Sequence, residues 1–379
     1  MNFVLDTNAV SETEKSRPNP VYLMDLSSQL RAFMGRSLDA NGDGIEEEFN
    51  RLAVALFAAQ YDAVTIYRQF CERRNVRPEG ACHWSQIPAL PASAFKEFEV
   101  SSIPPGERTA AFYSSGTTGQ NPSRHFHHAR SLAIYEASLL PWFERNFRPS
   151  PSMKLVFLTP ENVPGSSLVH MFKTVRRHCG GPDSVFTGRV NADDSWSIDM
   201  EGTVAALEGG QPVGLLGTAF SFVHLLDHLG AIGRRVTLPK GSRVMETGGY
   251  KGRSREVPKR QLHQMISKFL GVAEPDIVTE YGMSELSSQA YDRAGVFQFP
   301  PWARGQVVSP ETGAEAGEGE TGLLRVFDLA NIWSVMAVQT EDLAARRGNG
   351  FELLGRSAES EPRGCSLMPA EKWTIKPSP

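Results

Sequence analysis

Short apolar runs alternate with helical stretches through the middle of the chain. The apolar runs occupy residues 153–160, 212–218, 242–250 and 276–282, and the helical stretches that follow the first three lie near 167–178, 219–229 and 257–270. Strands and helices in regular alternation predict parallel βαβ units, with helices covering a sheet. We therefore predict an α/β fold whose ligands bind at the carboxyl ends of the strands.

The two flanks of this region have different patterns. Between 47 and 71, apolar residues recur at helical spacing, which predicts one helix with a buried face. That face is formed by Leu52, Leu56, Tyr61, Val64 and Tyr67. From about residue 305 the chain is rich in turn residues and short apolar runs, which indicates a small β subdomain. The last stretch is polar and interrupted by prolines, so we expect little regular structure there.

Composition narrows the class of protein. Hydrophobic residues make up 40% and charged residues 22% of the 379-residue chain, and no apolar run reaches the length of a membrane span. The net charge of −4 lacks the basic excess that is typical of nucleic-acid binding. The N-terminus shows no signal-peptide pattern. We expect a cytoplasmic protein that binds small molecules or proteins, with neither nucleic-acid binding nor membrane insertion.

The loop SSGTTGQNPSR, residues 114–124, is a polar segment with two chemical interpretations. Its glycines, Gly116 and Gly119, allow a ligand to approach the backbone closely, as polyphosphates do. Its hydroxyl groups belong to Ser114, Ser115, Thr117 and Thr118. Since no Gly-Lys-Ser/Thr follows, it is not a Walker A loop, and Arg124 is the nearby cation. On composition alone, a serine- and glycine-rich surface loop is the other interpretation.

The order of the residues, together with later motifs, favours the phosphate-binding interpretation. SSGTTGQNPSR resembles, with one inserted residue, the signature SSGTTGxPx of adenylate-forming enzymes. The other motifs of that superfamily follow in the same order: METGGYKG (245–252), TEYGMSE (279–285), QTEDL (339–343) and LLGR (353–356). The resemblance implies the large N-terminal domain of these enzymes, with parallel βαβ sheets and a small β subdomain. It also implies ATP and Mg²⁺ as cofactors.

The resemblance assigns roles to individual residues. Gly248 and Gly249 match the glycine pair that lines the adenine pocket. In TEYGMSE, the resemblance implies that Tyr281 stacks on adenine, that Gly282 and Ser284 face the nucleotide and its phosphate, and that Glu285 helps to hold Mg²⁺. An aromatic ring, a hydroxyl group and a carboxylate suit these three partners chemically. Asp342 matches the aspartate that binds the ribose hydroxyls, and Arg356 matches an arginine near the ribose or phosphate.

The C-terminal end departs from the superfamily pattern. Only 23 residues follow Arg356, too few for the usual mobile C-terminal domain and its lysine. Lys251, Lys372 and Lys376 are the alternatives for the missing cation. The predicted organisation has four parts: a helical N-terminal part of the body (1–110), a nucleotide-binding α/β core (111–304), the small β subdomain (305–356) and a short C-terminal tail (357–379).

The tail contains a cysteine in a distinctive context. Cys71, Cys82 and Cys179 are scattered and are interpreted as small buried side chains, with no disulfide or zinc pattern. Cys365, in RGCSL, lies two residues after an arginine on a segment that could reach an activated acyl group. With METGGYKG, EYGMSELSSQ and the overall length, this tail resembles the acyl-protein synthetase subunit of bacterial fatty acid reductase complexes. The resemblance implies fatty acid activation to acyl-AMP, transfer to Cys365 as a thioester, and a partner acyl-thioester reductase.

Histidines supply the last candidate residues. His125, His127 and His128 follow the phosphate loop without the spacing or carboxylate of a metal site, so a position beside the nucleotide is the preferred interpretation. His170 matches a region where related enzymes place a residue of the acyl pocket or a residue that orients the carboxylate. Two other functions stay open. One is a coenzyme A ligase of the phenylacetate type or a carrier-protein adenylating enzyme, and the other is a non-catalytic nucleotide-binding scaffold.

Overall fold

A computed structural model describes residues 20–39, 42–114, 121–193, 195–249 and 255–356. The α-helices of these residues are α1 (Pro20–Ser37), α2 (Asp43–Ala63), α3 (Thr65–Glu72), α4 (Ala94–Glu97), α5 (Ala129–Phe147), α6 (Ser167–Cys179), α7 (Met200–Leu207), α8 (Ala219–Ala231) and α9 (Lys259–Leu270). The strands are β1 (Leu90–Pro91), β2 (Ala110–Tyr113), β3 (Arg124–His127), β4 (Lys154–Phe157), β5 (Val185–Phe186), β6 (Gly188–Val190), β7 (Trp196–Ile198), β8 (Val213–Thr218), β9 (Arg243–Thr247), β10 (Ile277–Tyr281), β11 (Ala290–Arg293), β12 (Val296–Gln298), β13 (Ala303–Val308), β14 (Thr321–Asp328), β15 (Ala337–Arg347) and β16 (Gly350–Arg356).

The predicted strand and helix alternation is confirmed. The four apolar runs form β4, β8, β9 and β10. The helical stretches predicted after the first three runs form α6, α8 and α9. With β5, these strands pair in parallel in the order β5-β4-β8-β9-β10. Every residue of β8 is buried, as expected for a strand with both faces covered. The chain therefore has the α/β fold that the pattern predicts.

Helices cover the parallel sheet on both faces. Val244 and Ile277 pack with α8 and α9 on one face, whereas Met245 and Val278 pack with α5 and α6 on the other. Side chains of neighbouring residues in a strand point to opposite faces, so the order of residues in β9 and β10 decides which polar groups meet which helices. The polar residues of β9 and β10 are therefore divided between the two faces of the sheet.

The strands after β10 extend the same sheet with antiparallel pairing. β11 pairs with β10, β12 pairs with β11 and β16, and β16, β15, β14 and β13 follow in that order. The β10–β11 pair joins the parallel and antiparallel parts, and Phe297 of β12 pairs with Phe351 of β16 within the antiparallel part. The strands after residue 305 thus exist as expected, while their status as a separate subdomain stays a prediction. No helix in the described parts of the chain is long and apolar enough to cross a bilayer.

One predicted element differs from the structure. The single helix expected over 47–71 is two helices, α2 and α3, separated at Val64. Val64 has extended backbone angles, φ −108° and ψ 96°, and its side chain is 1% exposed. The extended backbone at this break directs the β-branched Val64 side chain into the core. Helical periodicity alone does not reveal such a break. The prediction of one helix was therefore wrong, although its apolar face is buried.

Candidate active site

The base of the phosphate-loop candidate is a β-hairpin. β2 and β3 pair antiparallel, with Tyr113 opposite Arg124. Beyond this pair, the Ser114 N–H donates to the Ser123 carbonyl at 3.2 Å, and the Ser123 N–H donates to Ser114 Oγ at 2.9 Å. These bonds hold together the two ends of the loop. Five of the predicted loop residues lie outside the described residues: Ser115, Gly116, Thr117, Thr118 and Gly119.

The hairpin contacts the TEYGMSE motif at Ser284. Ser284 Oγ donates to Glu285 Oε2 at 2.9 Å, and it lies 3.2 Å from Ser123 Oγ. Because the Ser284 proton is directed at Glu285, Ser123 is the donor of the second bond. The Ser284 carbonyl accepts a hydrogen bond from His125 Nδ1 at 3.0 Å. Two motifs that are about 160 residues apart in sequence are therefore joined by hydrogen bonds around one serine.

A cavity of about 1690 Å³ lies at the carboxyl ends of β9 and β10. The predicted site residues that line it are Ser114, Gly248, Gly249, Tyr281, Gly282, Ser284, Glu285, Asp342 and Arg356. Gly248 follows β9 with φ +64°, a left-handed conformation that favours glycine. Arg124 and His170 are not among the described residues that line the cavity. The structure thus brings together nine of the predicted residues from five motifs.

Tyr281, Asp342 and Arg356 form a buried hydrogen-bonded network on one wall of this cavity. The Tyr281 hydroxyl donates to Asp342 Oδ2 at 2.7 Å, and Arg356 Nε donates to Asp342 Oδ1 at 3.0 Å. Asp342 and Arg356 are cross-strand partners in β15 and β16. Burial and the Asp342 charge raise the pKa of Tyr281 well above its usual value. Burial opposes the charge on Arg356, but Asp342 and Glu341 outweigh it and raise the pKa of Arg356.

Glu285 has the chemistry of a magnesium ligand. It is 1% exposed, lines the cavity and accepts a hydrogen bond from the Ser284 hydroxyl at one of its oxygens. Mg²⁺ in phosphate-transfer sites is held through one or two carboxylates together with phosphate oxygens of the substrate. A single buried carboxylate beside a phosphate loop fits that donor set. Glu285 would therefore hold the ion.

The structure shows cavity residues that sequence reasoning missed. Glu280 lines the cavity from within the TEYGMSE motif, where it occupies the position before the tyrosine. Glu246 lines it from the end of β9. Lys259, the first residue of α9, places its ammonium against Asp292 and 4.7 Å from the centroid of the Phe297 ring. A carboxylate inside a nucleotide motif was a visible signal for Glu280, whereas nothing local distinguishes Lys259 from a surface lysine.

His170 lies on α6, beside the cavity wall rather than in it. Its neighbours Leu168 and Met171 line the cavity, whereas the His170 ring packs 5.4 Å from Phe112. Its Nε2 is 3.2 Å from Glu136 Oε1. Burial lowers the pKa of His170, although the charge of Glu136 opposes this. A role for His170 in the site stays a prediction.

The buried histidines of β3 give the protein a pH dependence that can be measured. His125 is 3% exposed and His127 is 1% exposed, and their rings lie 4.3 Å apart. Burial lowers the pKa of His125 from 6.5 to about 4 and lowers the pKa of His127 well below 6.5. Below pH 6.5 the unfolded chain binds protons that the folded protein excludes, so stability falls as pH falls towards 4.

We expect His125→Gln to flatten this dependence. For each histidine, one pH unit in this window changes the free energy of unfolding by about 1.4 kcal/mol. Urea unfolding of the wild type and of His125→Gln at pH 4.5, 5.5, 6.5 and 7.5 measures the two slopes. Equal slopes would contradict a neutral, buried His125. His83→Gln is the control, because His83 is on the surface and hydrogen-bonds Ser85.

Comparison with known proteins agrees with the motifs. The family model described as "Acyl-protein synthetase, LuxE" matches residues 29–374. The long-chain-fatty-acid–luciferin-component ligase of Aliivibrio fischeri is 22% identical over 366 residues, which cover 89% of this chain and 92% of the relative.

One solved structure shows the same fold. A 2-hydroxyisobutyryl-CoA ligase in the postadenylation state, bound to 2-HIB-AMP, matches with a TM-score of 0.61 and 13% identity, covering 81% of this chain and 67% of that chain. ATP-bound MatB from Rhodopseudomonas palustris matches with a TM-score of 0.45 and 16% identity, covering 67% of this chain and 49% of that chain. The chain thus spans about half the length of MatB. The match over residues 29–374 shows that the chain belongs to the acyl-protein synthetase family, LuxE.

Proposed function

We propose that this acyl-protein synthetase activates a fatty acid with ATP to acyl-AMP and then transfers the acyl group to its own Cys365. The observation that carries the proposal is the junction at Ser284, where the base of the phosphate loop meets Glu285 at the edge of one cavity. The name of the Aliivibrio fischeri relative supports a long-chain acid. The proposal includes the cytoplasm as the location and an acyl-thioester reductase as the partner that takes the acyl group.

The motif residues that line the cavity support one orientation of ATP. The glycine pair Gly248 and Gly249 and the ring of Tyr281 would hold adenine, and Asp342 would accept hydrogen bonds from the ribose hydroxyls. Arg356 then lies next to the ribose, because it is bonded to Asp342. The loop from Ser114 to Arg124 would supply N–H and hydroxyl donors to the phosphates. The contacts among the described residues and the motifs together support these roles.

In the first half of the reaction, a carboxylate oxygen of the acid attacks the α-phosphorus of ATP, and pyrophosphate leaves. Mg²⁺ at Glu285 would neutralise negative charge on the phosphates. Ser284, held between Ser123 and Glu285, is positioned to donate to a phosphate oxygen after a small rotation of its hydroxyl. Such donors, already in place before the reaction, stabilise the developing charge without a covalent contribution from the protein.

In the second half, the Cys365 thiolate attacks the carbonyl carbon of acyl-AMP. The carbon–sulfur bond forms, the bond to the phosphate oxygen breaks, and AMP leaves. The thioester keeps the acyl group activated for a reductase, which would convert it to the aldehyde. Cys365 lies outside the described residues.

The test is covalent labelling of the wild-type protein. Incubation with ATP, Mg²⁺ and a radiolabelled long-chain fatty acid should leave label on acid-precipitated protein, and neutral hydroxylamine should release it. Carboxylic-acid-dependent exchange between ATP and pyrophosphate should accompany labelling. Label that appears only on added coenzyme A would support a coenzyme A ligase instead. The absence of exchange with every acid would support a non-catalytic scaffold.

A further inference from the structure

Glu285, the proposed magnesium ligand, lies on a loop rather than on a strand or helix. This loop, residues 282–289, connects the end of β10 to the start of β11. Within it, the Leu286 N–H donates to the Met283 carbonyl at 3.2 Å. Because ladder bonds order the backbone at the two ends of the loop, other contacts must fix the direction in which Glu285 points. Side chains from the end of β14 and from the following loop make these contacts.

Asp328, the last residue of β14, holds the second half of the 282–289 loop. Its Oδ2 accepts hydrogen bonds from the N–H groups of Ser287 and Ser288, both at 2.8 Å. Its Oδ1 accepts a hydrogen bond from the Ser288 hydroxyl at 2.7 Å. The Asp328 side chain is fully buried, so these bonds are shielded from water. The carboxylate therefore takes the place of a strand partner for two successive backbone N–H groups.

Asn331, in the loop between β14 and β15, bonds to Glu285 itself. Its Nδ2 donates to the Glu285 carbonyl at 2.8 Å and to the Val335 carbonyl at 3.2 Å, and its Oδ1 accepts from the Ser287 hydroxyl at 2.7 Å. Both amide protons and the amide oxygen are thus used. Asn331 is 1% exposed and is not among the described residues that line the cavity. It therefore holds the backbone of Glu285 from behind the cavity wall.

Gln60 of α2 in turn holds the loop that carries Asn331. Its Nε2 donates to the Asn331 carbonyl at 2.7 Å and to the Ile332 carbonyl at 3.2 Å, and its Oε1 accepts from the Met336 N–H at 2.9 Å. Gln60 is 1% exposed. A continuous series of buried hydrogen bonds therefore runs from a helix of the N-terminal part, through Asn331, to the backbone of Glu285.

We infer that Asn331 is a positioning residue for Glu285, whose carboxylate it keeps directed at the place where Mg²⁺ and the phosphates of ATP would bind. The inference rests on the proposed function and adds a residue to it. A shift of the Glu285 backbone would move its carboxylate together with the Ser284 hydroxyl that is bonded to it. Groups that orient a metal ligand change metal affinity by about 10–100-fold when they are removed. A residue that serves stability alone would leave the effect of Mg²⁺ on ATP binding unchanged.

The experiment measures how much Mg²⁺ tightens ATP binding in the absence of fatty acid. Isothermal titration calorimetry gives the Kd for ATP in EDTA and in saturating Mg²⁺, and the first divided by the second is the Mg²⁺ ratio. Asn331→Leu keeps the approximate size of the side chain and removes its hydrogen bonds, so we expect the Mg²⁺ ratio to fall about tenfold. Glu285→Gln, which weakens the ligand itself, should lower it at least as far. Both constants come from one preparation, so a partly unfolded variant still reports the ratio.

Trp302→Phe is the matched control. The buried Trp302 Nε1–H donates to Ser138 Oγ at 2.7 Å, and Ser138 Oγ lies 2.8 Å from Ser288 Oγ. The variant therefore removes one buried bond from the same network without removing a bond to the backbone of the 282–289 loop. Its Mg²⁺ ratio should equal that of the wild type, whatever its stability.

Ser287→Ala keeps the test decisive if Asn331→Leu does not fold. It removes the hydroxyl that donates to Asn331 Oδ1 and should lower the Mg²⁺ ratio in the same direction by a smaller factor. A wild-type ratio in every folded variant of Asn331 and Ser287, or an equal fall in Trp302→Phe, would overturn the inference and leave the proposed function intact. A wild-type ratio in Glu285→Gln would overturn the inference together with the role of Glu285. Failure of the proposed function is seen separately, as the absence of acid-dependent ATP–pyrophosphate exchange.

Discussion

Cys365→Ser is expected to abolish hydroxylamine-sensitive acyl labelling of the protein while ATP–pyrophosphate exchange continues. The first half of the proposed reaction uses groups in the cavity, none of which is Cys365, so acyl-AMP should still form. Only the second half needs a thiolate at the acyl carbon. Labelling should fall to background, which is the largest activity change that we expect for a single substitution. Acid precipitation with labelled fatty acid, before and after hydroxylamine, measures it.

The other cysteines give this experiment its controls. Burial raises the pKa of Cys71 and of Cys179 to about 12, so both thiols are almost entirely protonated at neutral pH and react poorly. The prediction that Cys82 is buried was wrong: Cys82 is exposed, and it is the cysteine among the described residues that a small acyl donor can reach. Cys82→Ser should therefore label as strongly as the wild type. Equal label on Cys365→Ser and on the wild type, or loss of label in Cys82→Ser, would contradict Cys365 as the acceptor.

Much of the fold could be predicted from the sequence, because burial imposes simple patterns of apolar residues. The runs that became β4, β8, β9 and β10 are short and apolar because both faces of a parallel strand are covered. The break at Val64 was not readable, since a β-branched residue fits both a helix and an extended turn, and only packing decides. Strand order across the sheet depends on such long-range packing as well.

The site was partly readable for a different reason. Motifs such as TEYGMSE identify candidate ligand-binding residues by their local order, and the structure gathers these residues at one cavity. Partnerships between distant residues carry no local signal. The bond from Ser123 to Ser284 spans 161 positions, and the bond from Tyr281 to Asp342 spans 61.

Asp342→Ala is expected to lower both stability and adenylation, because Asp342 is the centre of the buried network on the cavity wall. Its removal leaves the Tyr281 hydroxyl without its carboxylate partner. It also removes one of the two carboxylates that form ion pairs with Arg356 in the described residues, and the other, Glu341, lies at 3.1 Å. Arg356 is 4% exposed. Breaking a buried charge pair on one side costs about 3–5 kcal/mol of unfolding free energy. Urea unfolding with and without ATP, and the KM for ATP in pyrophosphate exchange, measure the two effects.

Tyr281→Phe separates the parts of this network. It removes one neutral donor to Asp342 and keeps the aromatic ring and the ion pair with Arg356. We expect it to cost about 1 kcal/mol of stability, as for an ordinary hydrogen bond, and to change the KM for ATP little. Asp342→Ala should instead raise that KM at least about tenfold, because the loss of the proposed ribose contacts adds to a displaced Arg356. The contradicting outcome is that Asp342→Ala and Tyr281→Phe have the same free energy of unfolding and the same KM for ATP. Asp342 would then be a local partner of the tyrosine and not the group that joins nucleotide binding to the fold.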